Sequence, residues 1–193
     1  MNTQPILKNI FNHIQLNPKE VDYFISLLHY KKLKRKEFLL RQDEMCKHIN
    51  YVIDGCLRVY KIDDKGIEHI IVFAMEDWWI ADLPAFLTQT PATYFIDAVE
   101  KTELFQIEKS ELEKAYKQVP KLERYFRILH QNAFVSHLSR LEQFIFLNAK
   151  ERYIQLQKKF PALENRVPQK HIASYLGITP EFLSMLRRKL ARG

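Results

Sequence analysis

The residues best able to do chemistry lie in one short stretch, Gln169 to Leu190. An arginine such as Arg188 can donate twice to a guanine edge. Glu181 can accept from a cytosine amine, and Ser184 can act either way. Met185 offers an apolar contact to a thymine methyl group. With Thr179 and Pro180 these residues share the outward side of one short helix, a candidate base-reading set. Lys170, His171, Arg187 and Lys189 suit phosphate oxygens, which set affinity and salt dependence without specifying sequence. Arg187 and Lys189 also read as a solvated last turn favoured by the helix dipole.

Two helices around a tight turn must position that set. Ile172, Ala173 and Leu176 form the inner face of the first. Gly177 supplies a turn that needs φ > 0. Ile178 plugs the corner, Thr179 caps the next helix, and Pro180 suits its first turn. Leu183, Leu186 and Leu190 then repeat at helical spacing against the first helix. This is the layout of a helix-turn-helix.

The chain has 193 residues, 47% hydrophobic and 27% charged, enough for a core and one or two domains. Residues 146–193 hold 10 of the 30 Lys+Arg and 3 of the 23 Asp+Glu, so the whole formal charge of +7 lies there. A basic module joined to a neutral one suggests that only the C-terminal part meets a polyanion. Charge alone fits a basic face kept for solubility equally well; the coincidence with the helix pair favours the polyanion. Cys46 and Cys56 are too few for a disulfide scaffold and lack metal-site spacing, so they read as core filler in a reduced, cytoplasmic protein. No secretory leader opens the sequence and no apolar run approaches a membrane span.

Residues 4 to 30 read as helical, with a second segment starting near Pro18. A basic connector follows, Lys31 to Lys36. The period then falls to about two, giving strands at 37–41, 50–54, 56–62, 68–73, 94–99 and 102–107, with turns at Asp54-Gly55 and Asp63 to Gly66. From Lys109 the pattern is helical again. Leu122, Phe126, Leu129, Ala133 and Ser136 follow a four-three-four-three spacing, with Phe134, Leu138, Leu141 and Ile145 beside them. So much apolar surface on one helix favours a two-chain coiled coil over a helix packed entirely within its own chain. Asn148-Ala-Lys-Glu151 reads as a capping box that starts the last domain.

In this order of parts the chain resembles the Crp/Fnr family of transcription factors, named for the cyclic-AMP receptor protein and the fumarate–nitrate regulator. The motifs are Tyr51-Val-Ile-Asp-Gly55 with Arg58 and Tyr60, Asp64-Lys-Gly66, Asp77-Trp-Trp-Ile-Ala-Asp-Leu83 and Phe146-Leu-Asn148. The resemblance implies an α+β chain. An N-terminal β-roll of the cyclic-nucleotide-binding jelly-roll type with flanking helices would span 1–118. A dimerisation helix and hinge would span 119–147, and a helix-turn-helix domain 148–193. Implied partners are double-stranded DNA, a second copy of the chain and RNA polymerase, with no membrane.

The sensor departs from the family pattern. Cyclic-nucleotide-binding members carry a Gly-Glu-Leu element and an Arg-Ser/Thr-Ala element that holds the cyclic phosphate. Here these align with Ala81-Asp82-Leu83 and Ala92-Thr93-Tyr94, so the phosphate arginine is absent. Its charge-assisted contact is worth on the order of a few kcal/mol, and Tyr94 crowds the cavity. Cyclic AMP in the usual mode is therefore not expected. Three readings remain open: another small effector, with Trp78, Trp79, Tyr94 and Asp82 as walls and anchor and His137 reaching from the long helix; a pocket packed shut in a constitutive protein; and weak binding of a nucleotide. Each of these residues has a plain alternative: aromatic core for the rings, a helix cap for Asp82, a packed or surface position for His137.

The expectation is a DNA-binding transcription regulator acting as a homodimer. Its alternative is a small-molecule or protein-binding module whose helix-turn-helix no longer reads DNA. Pro180 and Met185 where the family has arginines, and an end at Gly193 without a closing strand, favour that alternative. No metal cluster or nucleophile–base pair points to an enzyme; Asp82 with His137 is a weak pair.

Overall fold

The computed structural model describes residues 2–191. The expected end at Gly193 without a closing strand, like the outer limits of the expected domains at 1 and 193, lies outside them. The chain forms two compact units, Met1–Val59 with Phe73–Ala133 and Tyr60–Val72 with Phe134–Gly193.

Two short helices open the first unit, α1 (Gln4–Phe11) and α2 (Pro18–Ser26). The second starts where Asn17 and Glu20 form a reciprocal capping box. Eight strands follow: β1 (His29–Leu33), β2 (Phe38–Leu40), β3 (His48–Asp54), β4 (Leu57–Ile62), β5 (Glu68–Ala74), β6 (Trp79–Ile80), β7 (Phe95–Ala98) and β8 (Thr102–Glu108). They form two four-stranded sheets, ordered β1-β8-β3-β6 and β2-β7-β4-β5. A short helix, α3 (Leu83–Thr88), interrupts them between β6 and β7. After β8 come α4 (Lys109–Gln118) and the long α5 (Pro120–Phe146), which runs through both units.

The six expected strands are present within a residue or two. Two strands were not expected. The first half of the basic stretch Lys31 to Lys36, expected to be a connector, is the end of β1, which pairs antiparallel with β8 from His29↔Gln106 to Leu33↔Thr102. Only Leu33 on it is buried, and lysines are common on such edge strands because they discourage pairing with another chain. β6 has two residues, too few for a period, and is set by its pairing to Asn50 and Tyr51.

Gly55 turns β3 into β4 at φ +102°, and a Cβ there would meet the Thr102 hydroxyl at 2.5 Å and the Lys101 carbonyl at 2.6 Å. No other residue type fits. The roll closes on an apolar core that includes Leu57, Ile96, Leu104 and Phe105, all but inaccessible to solvent. Cys46 and Cys56 are buried in this core, as expected, with no disulfide between them, and burial pushes the Cys46 thiol up to about 11.

One charge pair is buried among these side chains. Arg58 on β4 makes a two-pronged contact to Asp97 on β7, Nε to Oδ1 at 2.7 Å and Nη2 to Oδ2 at 2.8 Å. Their side chains are 9% and 6% exposed. Removing one partner leaves a charge in a low-dielectric interior. Asp97→Ala is therefore expected to lower unfolding free energy by about 3–5 kcal/mol, read as a shifted midpoint in urea denaturation.

The second unit holds the outer part of the β4–β5 hairpin, the C-terminal half of α5 and four further helices: α6 (Ala149–Lys159), α7 (Leu163–Arg166), α8 (Gln169–Leu176) and α9 (Pro180–Leu190). The predicted capping box is formed. Asn148 Oδ1 accepts from the Glu151 N–H at 3.1 Å, and the Asn148 N–H donates to Glu151 at 2.9 Å. Tyr153, Leu156, Leu163, Val167, Ile172, Ala173, Leu176, Leu183 and Leu186 build this unit's core.

Candidate functional site

The turn between α8 and α9 forms as its residue types require. Gly177 ends α8 in the left-handed region at φ 68°, ψ 35°. Thr179 caps α9 by accepting from the Phe182 N–H at 3.2 Å, and Pro180 occupies the first turn. Ile172, Ala173 and Leu176 of α8 are buried, as are Leu183 and Leu186 of α9. The apolar faces are thereby spent on each other and the opposite side of α9 is left to solvent.

On that side lie five of the six residues expected to touch bases. Pro180, Glu181, Ser184, Met185 and Arg188 line one open surface together with Lys189. Thr179 is exposed at its head. Met185 is 56% exposed, a high value for a large apolar side chain on a helix with a buried face. The last turn is wholly basic, with Arg187, Arg188 and Lys189.

Two of the four expected phosphate contacts are placed differently. His171 is buried, because its position on α8 adjoins Ile172 on the inward side. Arg187 is drawn back to Glu164, with Nη2 3.6 Å from the carboxylate, and Glu164 also accepts from the Tyr153 hydroxyl. Lys170 and Lys189 remain exposed.

The helix pair has a further anchor that the sequence did not announce. The Ser174 hydroxyl accepts from the Ile70 N–H at 3.0 Å and donates to the Glu68 carbonyl at 2.6 Å, so α8 holds the edge of β5. Arg140 on α5 donates to the carbonyls of Ile70, Ile71 and Tyr175, and its guanidinium stacks 3.9 Å from the Tyr175 ring centre. These partners are 104 and about 70 residues apart, and no local pattern marks them.

The expected dimer stripe divides along α5. Leu122 and Phe126 are 0% and 2% exposed, taken up by the chain's own core against Trp79 and Tyr125, so they are not available to a partner. Leu129 and Ser136 are half-buried, and Ala133 is exposed. The exposed apolar row is its neighbour: Phe134, Leu138, Leu141 and Ile145, at 64, 45, 56 and 64%.

In the first unit Asp82 is fully buried and its carboxylate is used locally. Oδ1 accepts from the Ala85 N–H at 3.3 Å and caps α3. Oδ2 accepts from the Thr93 N–H at 2.8 Å, the Thr93 hydroxyl at 3.3 Å and the Tyr94 N–H at 3.2 Å. The carboxylate thus joins the two sequence elements that would flank a ligand, Ala81 to Leu83 and Ala92 to Tyr94. Ala92 is buried, with its N–H on the Glu44 carbonyl at 2.8 Å. Ala81, Leu83 and Tyr94 are half-buried. Trp79 donates to the Tyr125 hydroxyl at 2.8 Å and packs edge-on to Phe126 at 5.0 Å, so this ring is aromatic core. His137 belongs to the second unit, where partial burial first, then the charges of Arg140 and Lys159, hold its pKa below the ordinary value.

Residues 30–119 match the family model described as the cyclic nucleotide-binding domain. Among curated proteins none matches the sequence. Solved structures do match in fold. The c-di-GMP-responsive global regulator CLP of Xanthomonas campestris superposes with a TM-score of 0.74 at 13% identity, covering 91% of this chain and 92% of that one. A transcriptional regulator of the Crp/Fnr family from Eubacterium rectale gives 0.70 at 18%, covering 91% and 84%. The catabolite activator protein of Thermus thermophilus gives 0.60 at 18%, covering 95% and 87%. The resemblance to Crp/Fnr regulators read from the sequence is borne out: the chain carries their fold around a cyclic-nucleotide-binding-type roll.

Gly177 gives a direct test of the turn. A Cβ there would meet the Phe144 ring at 3.0 Å as well as the left-handed backbone penalty. Gly177→Ala is expected to destabilise by at least about 1 kcal/mol, seen as a lower midpoint in thermal or urea unfolding.

Proposed function

We propose that this protein is a sequence-specific DNA-binding transcription regulator that acts as a homodimer. In this reading residues 1–118 are the sensor, 119–147 the dimer helix and hinge, and 148–193 the helix-turn-helix domain. The observation that carries it is the side of α9 opposite Leu183 and Leu186. Glu181, Ser184, Met185 and Arg188 lie there together on one open surface, in the part of the chain that holds all the net positive charge. A helix with an apolar back and a mixed donor, acceptor and methyl-binding front fits a major groove. Lys170 and Lys189 supply phosphate contacts. Contact with RNA polymerase and a cytoplasmic location belong to the same reading.

The sensor does not take a cyclic nucleotide in the family's usual mode. Asp82 faces the loop's own amides, and Ala92 stands where a phosphate arginine would be. A ligand reaching Asp82 has to displace hydrogen bonds already made, so an effector of different chemistry is the better fit.

In-vitro selection of bound duplexes from a random pool is expected to yield a two-fold-related motif. Arg188→Ala should then cost about 1–3 kcal/mol on the selected site and relax one position of each half-site, measured by fluorescence anisotropy. A pool that converges on no motif refutes the reading and leaves a binding module with an unused helix pair.

The dimer seam is assigned to Phe134, Leu138, Leu141 and Ile145, whose four-three-four spacing is that of a coiled-coil seam. The double variant Leu138→Glu with Leu141→Glu is expected to sediment as a monomer with its helix content kept. An unchanged dimer would place the seam elsewhere.

A further inference from the structure

On the side of α5 opposite the exposed apolar row, the second unit contains a cleft of about 90 Å³. Its walls come from α5, α6 and the end of α8, and include Arg140, Arg152, Lys159, Ser139, Gln143 and Gln155. Three cations thus meet in one small space, and every hydrogen-bond partner they have is neutral. Arg140 donates to the carbonyls of Ile70, Ile71 and Tyr175. Arg152 donates to the carbonyls of Leu147 at 2.7 Å and Leu176 at 3.1 Å. Lys159 meets the Ser136 hydroxyl at 3.0 Å.

Those carbonyls, of β5 and of the ends of α5 and α8, hold the guanidinium ends in place, yet each is a neutral dipole and carries no full countercharge. Both guanidiniums also lie near one ring, Phe144, at 5.4 and 4.8 Å from its centre. Like charges so placed repel. Among the described residues three buried side-chain nitrogens have no hydrogen-bond partner, and two are the Nε of Arg140 and of Arg152. A buried donor left unmade is costly, and such groups usually mark a missing partner. The neighbouring His137 has its pKa held below the ordinary value by partial burial first and then by the charges of Arg140 and Lys159.

We propose that this cleft binds a tetrahedral oxyanion, either inorganic phosphate or the phosphate group of a small metabolite. A space of about 90 Å³ is small and suits one phosphate group. The two arginines line the space with guanidiniums fixed by those carbonyls, Lys159 adds a third charge, and Ser139, Gln143 and Gln155 offer neutral donors. Because its walls belong to α5, α6 and α8, a bound anion would brace the hinge at Asn148. The site is independent of whether α9 reads DNA.

The test uses the full chain without DNA. Thermal unfolding and calorimetric titration are run with sodium phosphate against sodium chloride at matched ionic strength, then with glucose 6-phosphate. Phosphate is expected to raise the Tm saturably and chloride not to. Lys159→Gln should fold with an unchanged Tm in chloride and bind phosphate at least tenfold more weakly. Arg152→Gln should abolish binding, and Lys158→Gln on the adjacent exposed position should leave it intact. Equal responses to phosphate and chloride overturn the proposal, as do equal losses in Lys159→Gln and Lys158→Gln. No response to either free phosphate or glucose 6-phosphate also overturns it. A glucose 6-phosphate response stronger than that of inorganic phosphate identifies a metabolite as the source.

Discussion

The first unit is organised around one buried chain of hydrogen bonds centred on the Tyr125 hydroxyl. It receives the Trp79 indole N–H at 2.8 Å and donates to Asn9 Oδ1 at 2.5 Å. The Asn9 amide donates on to Asp77 Oδ1 at 2.9 Å, and the Tyr51 hydroxyl meets the same oxygen at 2.6 Å. Five side chains from α1, β3, β6, α5 and the turn between β5 and β6 are thereby committed to one arrangement. Burial raises the pKa of both tyrosines, so each remains a donor at any physiological pH. In a low-dielectric site each member is satisfied only if the others are in place, so the network fixes how α1 and α5 close on the roll. It also explains why Leu122 and Phe126 are core: the turn of α5 that carries Tyr125 is pulled inward, and its neighbours go with it.

Much of this was legible in the sequence where the signal is local. Gly177, Thr179 and Pro180 each have a conformational reason to sit where they do, and the capping box at Asn148 needs only two residue types three apart. The strands with clear alternation or a glycine turn were equally plain. What escaped has a common cause, dependence on partners far along the chain. β1 is a strand because β8 lies beside it. His171 and Arg187 were read as outward because both are basic, whereas packing decided otherwise. The four-three spacing on α5 was real, but two parallel rows share it, and the roll's aromatic network determines which row is left exposed.

Two ionic groups show opposite solutions to burial. Asp82 is enclosed and fully answered: three N–H groups and a hydroxyl converge on one carboxylate, so the loop between β6 and β7 is complete without a ligand. Arg140 and Arg152 are answered only at their outer nitrogens, by carbonyls of β5 and of the ends of α5 and α8. A recessed carboxylate in a nucleotide-type roll draws attention to itself, but it is the least available group there. The unfinished electrostatics lie in the other unit, on side chains that carry no sequence signature.

The box formed by Asn148 and Glu151 also separates α5 from α6 as helices in the statistical sense. Leu147 closes the last bond of α5 on the Gln143 carbonyl at 3.0 Å, and its own carbonyl turns to Arg152. Asn148 then nucleates α6 afresh by satisfying an amide that would otherwise have needed a preceding turn. Propagation cannot pass through this point, so fraying at the end of α5 does not unzip α6. The hydrogen-bond ladder of each helix is therefore complete in itself, and the angle between them at Leu147 is set by packing within the unit and by the Arg152 contact rather than by a shared ladder.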